Sequence, residues 1–173
     1  AVRPIAEKCL GLIKGNHENA AETWYGRNIY WETVKGIAGA AKKRPEDLGM
    51  GVRGYVNIRF VREAGNSKTT GWLMRNYCHH GYGGGRLAGG HSLTLERTLG
   101  NYDCDLAMLG HRHVFNMTQK MFVTTRGANV EYQRRMAMFV PGYLHSDVTP
   151  SSDGSPVDTY AELIDLPPVP LGT

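Results

Sequence analysis

Five of the seven histidines fall in three short stretches, each following an apolar run: Gly15-Asn16-His17-Glu18, His79-His80-Gly81 and Gly110-His111-Arg112-His113. Imidazole is the commonest side-chain metal ligand, and an amide oxygen such as that of Asn16 suits harder ions. The third stretch is the most informative. Leu106-Ala107-Met108-Leu109, closed by Gly110, reads as a buried strand of an α/β sheet. In an extended chain, residues i and i+2 leave on one side with Cα atoms about 6.5 Å apart, and the residue between them leaves on the other. That span lets His111 and His113 reach one ion, or each reach one member of a pair about 3.5–4 Å apart. A single histidine at a strand end is ordinary polar surface. Three such stretches, if their strands are neighbours in one sheet, emerge at one edge and converge.

The elements that must position these residues follow from the apolar pattern. Pro4–Lys8 reads as the end of a helix, and Cys9–Lys14 as a strand running into Gly15. Asn19 to about Ala41 reads as helix, interrupted near Gly26 and Gly36. Trp24, Tyr25, Tyr30 and Trp31 are read as its core-facing side rather than a base-stacking platform. Lys42–Gly51 is a loop. Val52–Arg62 alternates as a strand, residues 63–67 form a hairpin turn, and Thr69–Cys78 returns to deliver His79 and His80. A loop of Tyr82, Gly83, Gly84, Gly85 and Arg86 follows, a lip whose backbone N–H groups suit phosphate, with Arg86 as a substrate-binding fork; the alternative is a plain surface turn.

Leu87–Leu99 reads as a helix starting near Ser92, and Asn101–Asp105 as a turn. Asp105 either serves that turn or orients a ligand histidine. After His113 come strands at Val114–Phe122 and Tyr132–Val140, with a turn at Arg126–Asn129 between them. Met108, Met117, Met121, Met136 and Met138 are assigned to the core, and His91 and His145 to the surface. Residues 1–173 are read as one domain, of which 145–173 form a polar, proline-rich tail with one short strand around Tyr160–Ile164.

The composition is that of an ordinary globular chain: 41% hydrophobic and 21% charged residues over 173 positions. A formal charge of +4, without any basic run longer than Lys42-Lys43-Arg44, accommodates an anionic substrate but argues against a nucleic-acid-binding module. Nucleic acid enters only as a substrate. The three cysteines are far apart, form no C-x-x-C pair and adjoin apolar segments, which reads as buried thiols in a reducing, cytoplasmic setting. Neither a signal peptide nor an apolar run of bilayer length is evident, so no membrane association is expected.

In order and in flanking glycines, the three histidine stretches resemble the calcineurin-like metallophosphoesterases, over roughly Cys9 to Tyr143, and the loop from His79 to Arg86 is similar to that of phage and bacterial branches of the family. The resemblance implies an α/β fold, a two-sheet β-sandwich flanked by helices. It implies hydrolysis of a phosphomonoester or phosphodiester by a metal-bound hydroxide, with Mn, Zn, Fe or Mg as the divalent cofactor. Asn16, His80 and His111 would then be ligands of the second metal, with His79 the alternative to His80. His113 would belong to the first metal, and His17 would be catalytic, stabilising the transition state or protonating the leaving oxygen.

The family's opening Asp-x-His and Gly-Asp motifs have no counterpart, since no aspartate precedes Asp47. The expectation is therefore a domain incomplete at its N-terminus and clipped at its C-terminus. Asn16, His80 and His111 would hold one ion, three protein ligands plus water. Two readings follow: a phosphoesterase impaired by the missing ligands, or a catalytically inactive structural or assembly protein that keeps the fold. Absent lead-in strands would leave an open sheet edge, which predicts a homo-oligomer or a partner chain covering it.

Overall fold

Two residues divide the first helical stretch. α1 (Asn16–Tyr25) ends where Gly26 takes a left-handed φ of 64°. α2 (Ile29–Ala41) begins where the Asn28 side-chain oxygen accepts from the Trp31 N–H at 2.8 Å. Gly36 does not interrupt α2; Val34, Ile37 and Ala38 pack on either side of it against Ala6, Tyr30 and Leu48. The structure is a computed structural model that describes residues 3–62, 70–83, 87–142, 149–150 and 156–157.

The expected strand at Cys9–Lys14 does not form. The segment is extended but makes a single parallel bridge, Leu12 with Gly49. Leu12 N–H donates to Leu48 O at 2.8 Å, and Lys14 N–H to Gly51 O at 2.7 Å. Its partner is thus a short connecting loop with few pairing groups to offer. The Tyr30 hydroxyl clamps the two together, donating to Leu12 O at 3.0 Å and accepting from Gly51 N–H at 2.8 Å.

The remaining chain forms a mixed five-stranded sheet. β1 (Arg53–Arg62) pairs antiparallel with β2 (Thr70–His79), as the alternation predicts. A parallel neighbour needs a crossover, and α3 (Ala88–Asn101) makes it, leading to β3 (Leu106–Leu109). β4 (Asn116–Arg126) and β5 (Asn129–Phe139) form a hairpin through Gly127, whose φ is 63°. The order is β1-β2-β3-β5-β4, so β3 is central as expected. Two-residue strands β6 (Thr149–Pro150) and β7 (Pro156–Val157) pair separately. The chain is therefore mixed α/β; among the described residues no helix is long and apolar enough to cross a membrane. The strand read at Tyr160–Ile164 lies outside the described residues.

α3 covers one face of the sheet, laying Leu95 and Leu99 on Tyr77, Ala107, Ala137 and Phe139. His91, expected at the surface, is buried here with its ring edge-on to Phe139 at 5.6 Å. Asp105 does not orient a histidine. It lies at the opposite end of β3 and accepts from Arg75 N–H (2.8 Å), Arg75 Nε (3.3 Å) and Gln133 Nε2 (2.8 Å), tying β2, β3 and β5 together. Burial alone would raise its carboxyl, but the hydrogen bonds from Arg75 and Gln133 outweigh that and hold it below the usual range.

The pairing register puts Phe60, Trp72, Met117, Met121, Val123 and Tyr132 together on the other face, and all are exposed. Met117 and Met121 are thus not core, because no described helix packs on that side. Trp24 and Tyr25 are likewise exposed, since among the described helices and strands α1 packs on α2 alone.

Replacing the fully buried Leu99 by Ala should cost about 3 kcal/mol in urea unfolding, against about 0.5 kcal/mol or less for the exposed Leu93→Ala. Equal costs would place the core elsewhere.

Candidate metal centre

The parallel β2–β3 ladder puts His79 level with Leu109, so the residues after each strand leave the sheet side by side. Gly110 N–H donates to His79 O at 3.1 Å. Gly81, at φ 91°, lies so close that a Cβ there would come 2.5 Å from Gly110 O; only glycine fits. The first stretch arrives differently. The Lys14–Gly51 hydrogen bond holds Gly15 beside the entry to β1, and Gly15 caps α1, its N–H donating to Glu18 Oε2 at 3.0 Å. Asn16 and His17 are consequently the first residues of a helix rather than part of a loop.

Asn16, His80 and His111 meet. Asn16 Oδ1 is 2.8 Å from His80 Nε2, and His80 Nε2 is 3.2 Å from His111 Nδ1. Asn16 N–H also points at His80 Nε2, at 3.3 Å. Two lone-pair atoms, Asn16 Oδ1 and His111 Nδ1, therefore each lie within hydrogen-bond distance of a third, His80 Nε2, whose ring nitrogen has at most one proton to share between them. Neighbouring ligand atoms on a first-row ion, with bonds of about 2.0–2.1 Å, lie about 3.0–3.4 Å apart. The donor set fits a divalent cation. Among the described residues no three His, Cys, Asp or Glu side chains converge, so a third ligand atom here would have to be the amide oxygen of Asn16.

The backbone at His111 and His113 departs from the extended geometry expected of them. Their φ values are 74° and 47°, in the left-handed region that histidine enters more readily than most residues but still at a cost of order 1–3 kcal/mol each. Arg112 N–H closes the turn on Gly110 O at 3.0 Å. His111 turns to His80, with ring centroids 5.0 Å apart. Arg112 folds back over the Phe139 ring at 5.1 Å and reaches Tyr82 O and Thr94 Oγ1, each at 3.4 Å. His113 rests on Gly142, where a Cβ would come 2.6 Å from its Nδ1.

His79 is excluded from the cluster. Its Nδ1 accepts from Gly81 N–H at 2.7 Å, and its ring lies parallel to Tyr77 at 6.2 Å. His17 stands near enough to His80 and His111 to act on both electrostatically. Arg86 and His145 lie outside the described residues. Sequence reasoning missed Gly15 and Gly142 as cradles: a Cβ on Gly15 would come 3.1 Å from the His80 ring. Glycine directly beside a histidine stretch or a strand end was the available signal.

Burial lowers the proton affinity of His79, His80 and His111. For His80 the charge of His111 adds to this and Glu18 opposes it; for His111 the charges of His113, His17 and Arg112 add. The shift favours the neutral form of all three rings, the state that offers a lone pair to an ion. No family model, curated protein or solved structure matches the chain.

With chelator present, the chain should lose thermal stability as pH falls from about 7 to 5. The folded rings titrate below the ordinary histidine range, so the unfolded chain binds more protons in that window and stability rises with pH. A His80→Gln, His111→Gln double variant should flatten the melting-temperature slope; an unchanged slope would assign it elsewhere.

Proposed function

We propose that the chain is a metal-dependent phosphoesterase domain of the calcineurin-like type, hydrolysing a phosphomonoester or phosphodiester. The observation that carries this reading is the approach of Asn16 Oδ1 and His111 Nδ1 to His80 Nε2, at 2.8 and 3.2 Å. These residues would hold a divalent cation, Mn, Zn, Fe or Mg. Such an ion supplies an acidified water for in-line attack and neutralises charge on the phosphoryl oxygens.

The chain's own groups supply the rest. Asn16 and His17 open α1, whose positive end favours a phosphate lying across it. His17 follows Asn16 directly and lies close enough to His80 and His111 to act on them electrostatically; there it would hydrogen-bond a phosphoryl oxygen or deliver a proton to the leaving oxygen. His113, packed against Gly142, would belong to the family's first metal rather than to the ion held by Asn16, His80 and His111. On this reading the five-stranded sheet is one leaf of a two-sheet sandwich, and a homo-oligomer or partner chain covers its open side.

The alternative is an inactive structural or assembly protein that keeps the fold. It is favoured by the engagement of the neighbouring carboxylates: Glu18 accepts from Gly15 N–H, and Glu22 pairs with Lys14. Neither is left to bridge two ions.

Metal content of the manganese-loaded protein by plasma mass spectrometry, followed by hydrolysis of bis(p-nitrophenyl) phosphate, separates these readings. About one ion per chain with hydrolysis is expected. His111→Ala should weaken metal binding by more than the roughly 10–100-fold that an outer partner costs. Metal binding without hydrolysis would favour the structural reading, and no metal at all would overturn the metal site and the phosphoesterase reading with it.

A further inference from the structure

We propose that the Tyr30 hydroxyl is the positioning group that sets Asn16 against His80, an inference that rests on the reading of Asn16, His80 and His111 as ligands of one ion. Asn16 opens α1, whereas His80 and His111 follow strands of the sheet. Among the described helices and strands neither α1 nor α2 packs on the sheet, so helix-to-sheet packing does not bring Asn16 to the two rings. What joins them is a short run of backbone hydrogen bonds at the entry to β1.

Gly51 and Val52 form that joint. Lys14 N–H, two residues ahead of Asn16, donates to Gly51 O at 2.7 Å, and His80 N–H donates to Val52 O at 3.1 Å. The two ligand-bearing segments therefore hang from adjacent carbonyls. Tyr30 fixes the joint from the helix side: its hydroxyl accepts from Gly51 N–H at 2.8 Å and donates to Leu12 O at 3.0 Å. One oxygen thus holds both the segment leading to Asn16 and the residue before Val52, acting as donor and acceptor at once. Its ring is itself fixed, buried with Val34, one turn further along α2, against Ala6 and Leu48. Without the hydroxyl, Gly51 N–H loses its partner and the segment leading to Asn16 loses its tie to α2. Asn16 Oδ1 then drifts from its 2.8 Å approach to His80 Nε2. A looseness of about 1 Å is enough to spoil a site of this kind.

The test is calorimetric titration of the metal-free protein with zinc, well below its melting temperature. Tyr30→Phe keeps the buried ring and removes only the hydroxyl; zinc affinity should fall about tenfold, the lower end of what an outer partner of a ligand costs. In an Asn16→Ala background, where the two histidines remain, the same substitution should change zinc affinity by less than about twofold, because the ligand it serves is gone. Val34→Ala, which thins the same core without touching the joint, should lower the melting temperature and leave zinc affinity as it was. Unchanged affinity in Tyr30→Phe, an undiminished loss in the Asn16→Ala background, or an equal loss in Val34→Ala would overturn the role of Tyr30 while leaving the metal site standing. Failure of the unsubstituted chain to bind zinc would overturn the metal site and the role of Tyr30 with it.

Discussion

Because β2 and β3 run parallel with His79 level with Leu109, whatever follows each strand must leave the sheet at one place. Everything in the candidate centre depends on that register. A slip of one residue would turn His80 to the other face and separate it from His111. The register is guarded at close range by Gly81 and Gly110, where backbone meets backbone without room for a side chain. Asp105 guards it at the far end by joining three strands through Arg75 and Gln133. A carboxylate remote from the histidines thus sets how they meet.

Much of this frame was legible in the sequence. Alternation in Val52–Arg62, the turn signal at Gly127 and the short apolar run of Leu106–Leu109 each report a local property that survives into the fold. The expected strand at Cys9–Lys14 failed because apolarity marks burial, not pairing, and its neighbour is a loop. Gly36 failed as a helix breaker because Val34, Ile37 and Ala38 bury enough to outweigh its cost of about 1 kcal/mol. The exposure of Trp24 and Tyr25 was not legible: it depends on what α1 packs against, a tertiary fact.

The candidate centre divides the same way. Asn16, His80 and His111 were identifiable from their order and flanking glycines, and the structure brings them together. The choice between His79 and His80 rested on which ring the Gly81 N–H captures, a two-residue hydrogen bond that spacing alone does not reveal. Extended geometry was the wrong premise for His111 and His113. The left-handed turn directs one ring to His80 and sends the intervening Arg112 back over Phe139, so the turn aims three side chains at three targets.

The face of the sheet that carries Phe60, Trp72 and Met121 bears on how the chain responds to temperature. Most of the heat-capacity rise on unfolding comes from apolar surface newly wetted, about 12–15 cal/mol/K per residue in a typical domain. Surface that already meets water contributes nothing to that increment. While this face stays wet, the stability curve of the chain is shallow and broad, with its cold and hot limits far apart. Covering it would raise the summit of the curve and tighten its curvature at once.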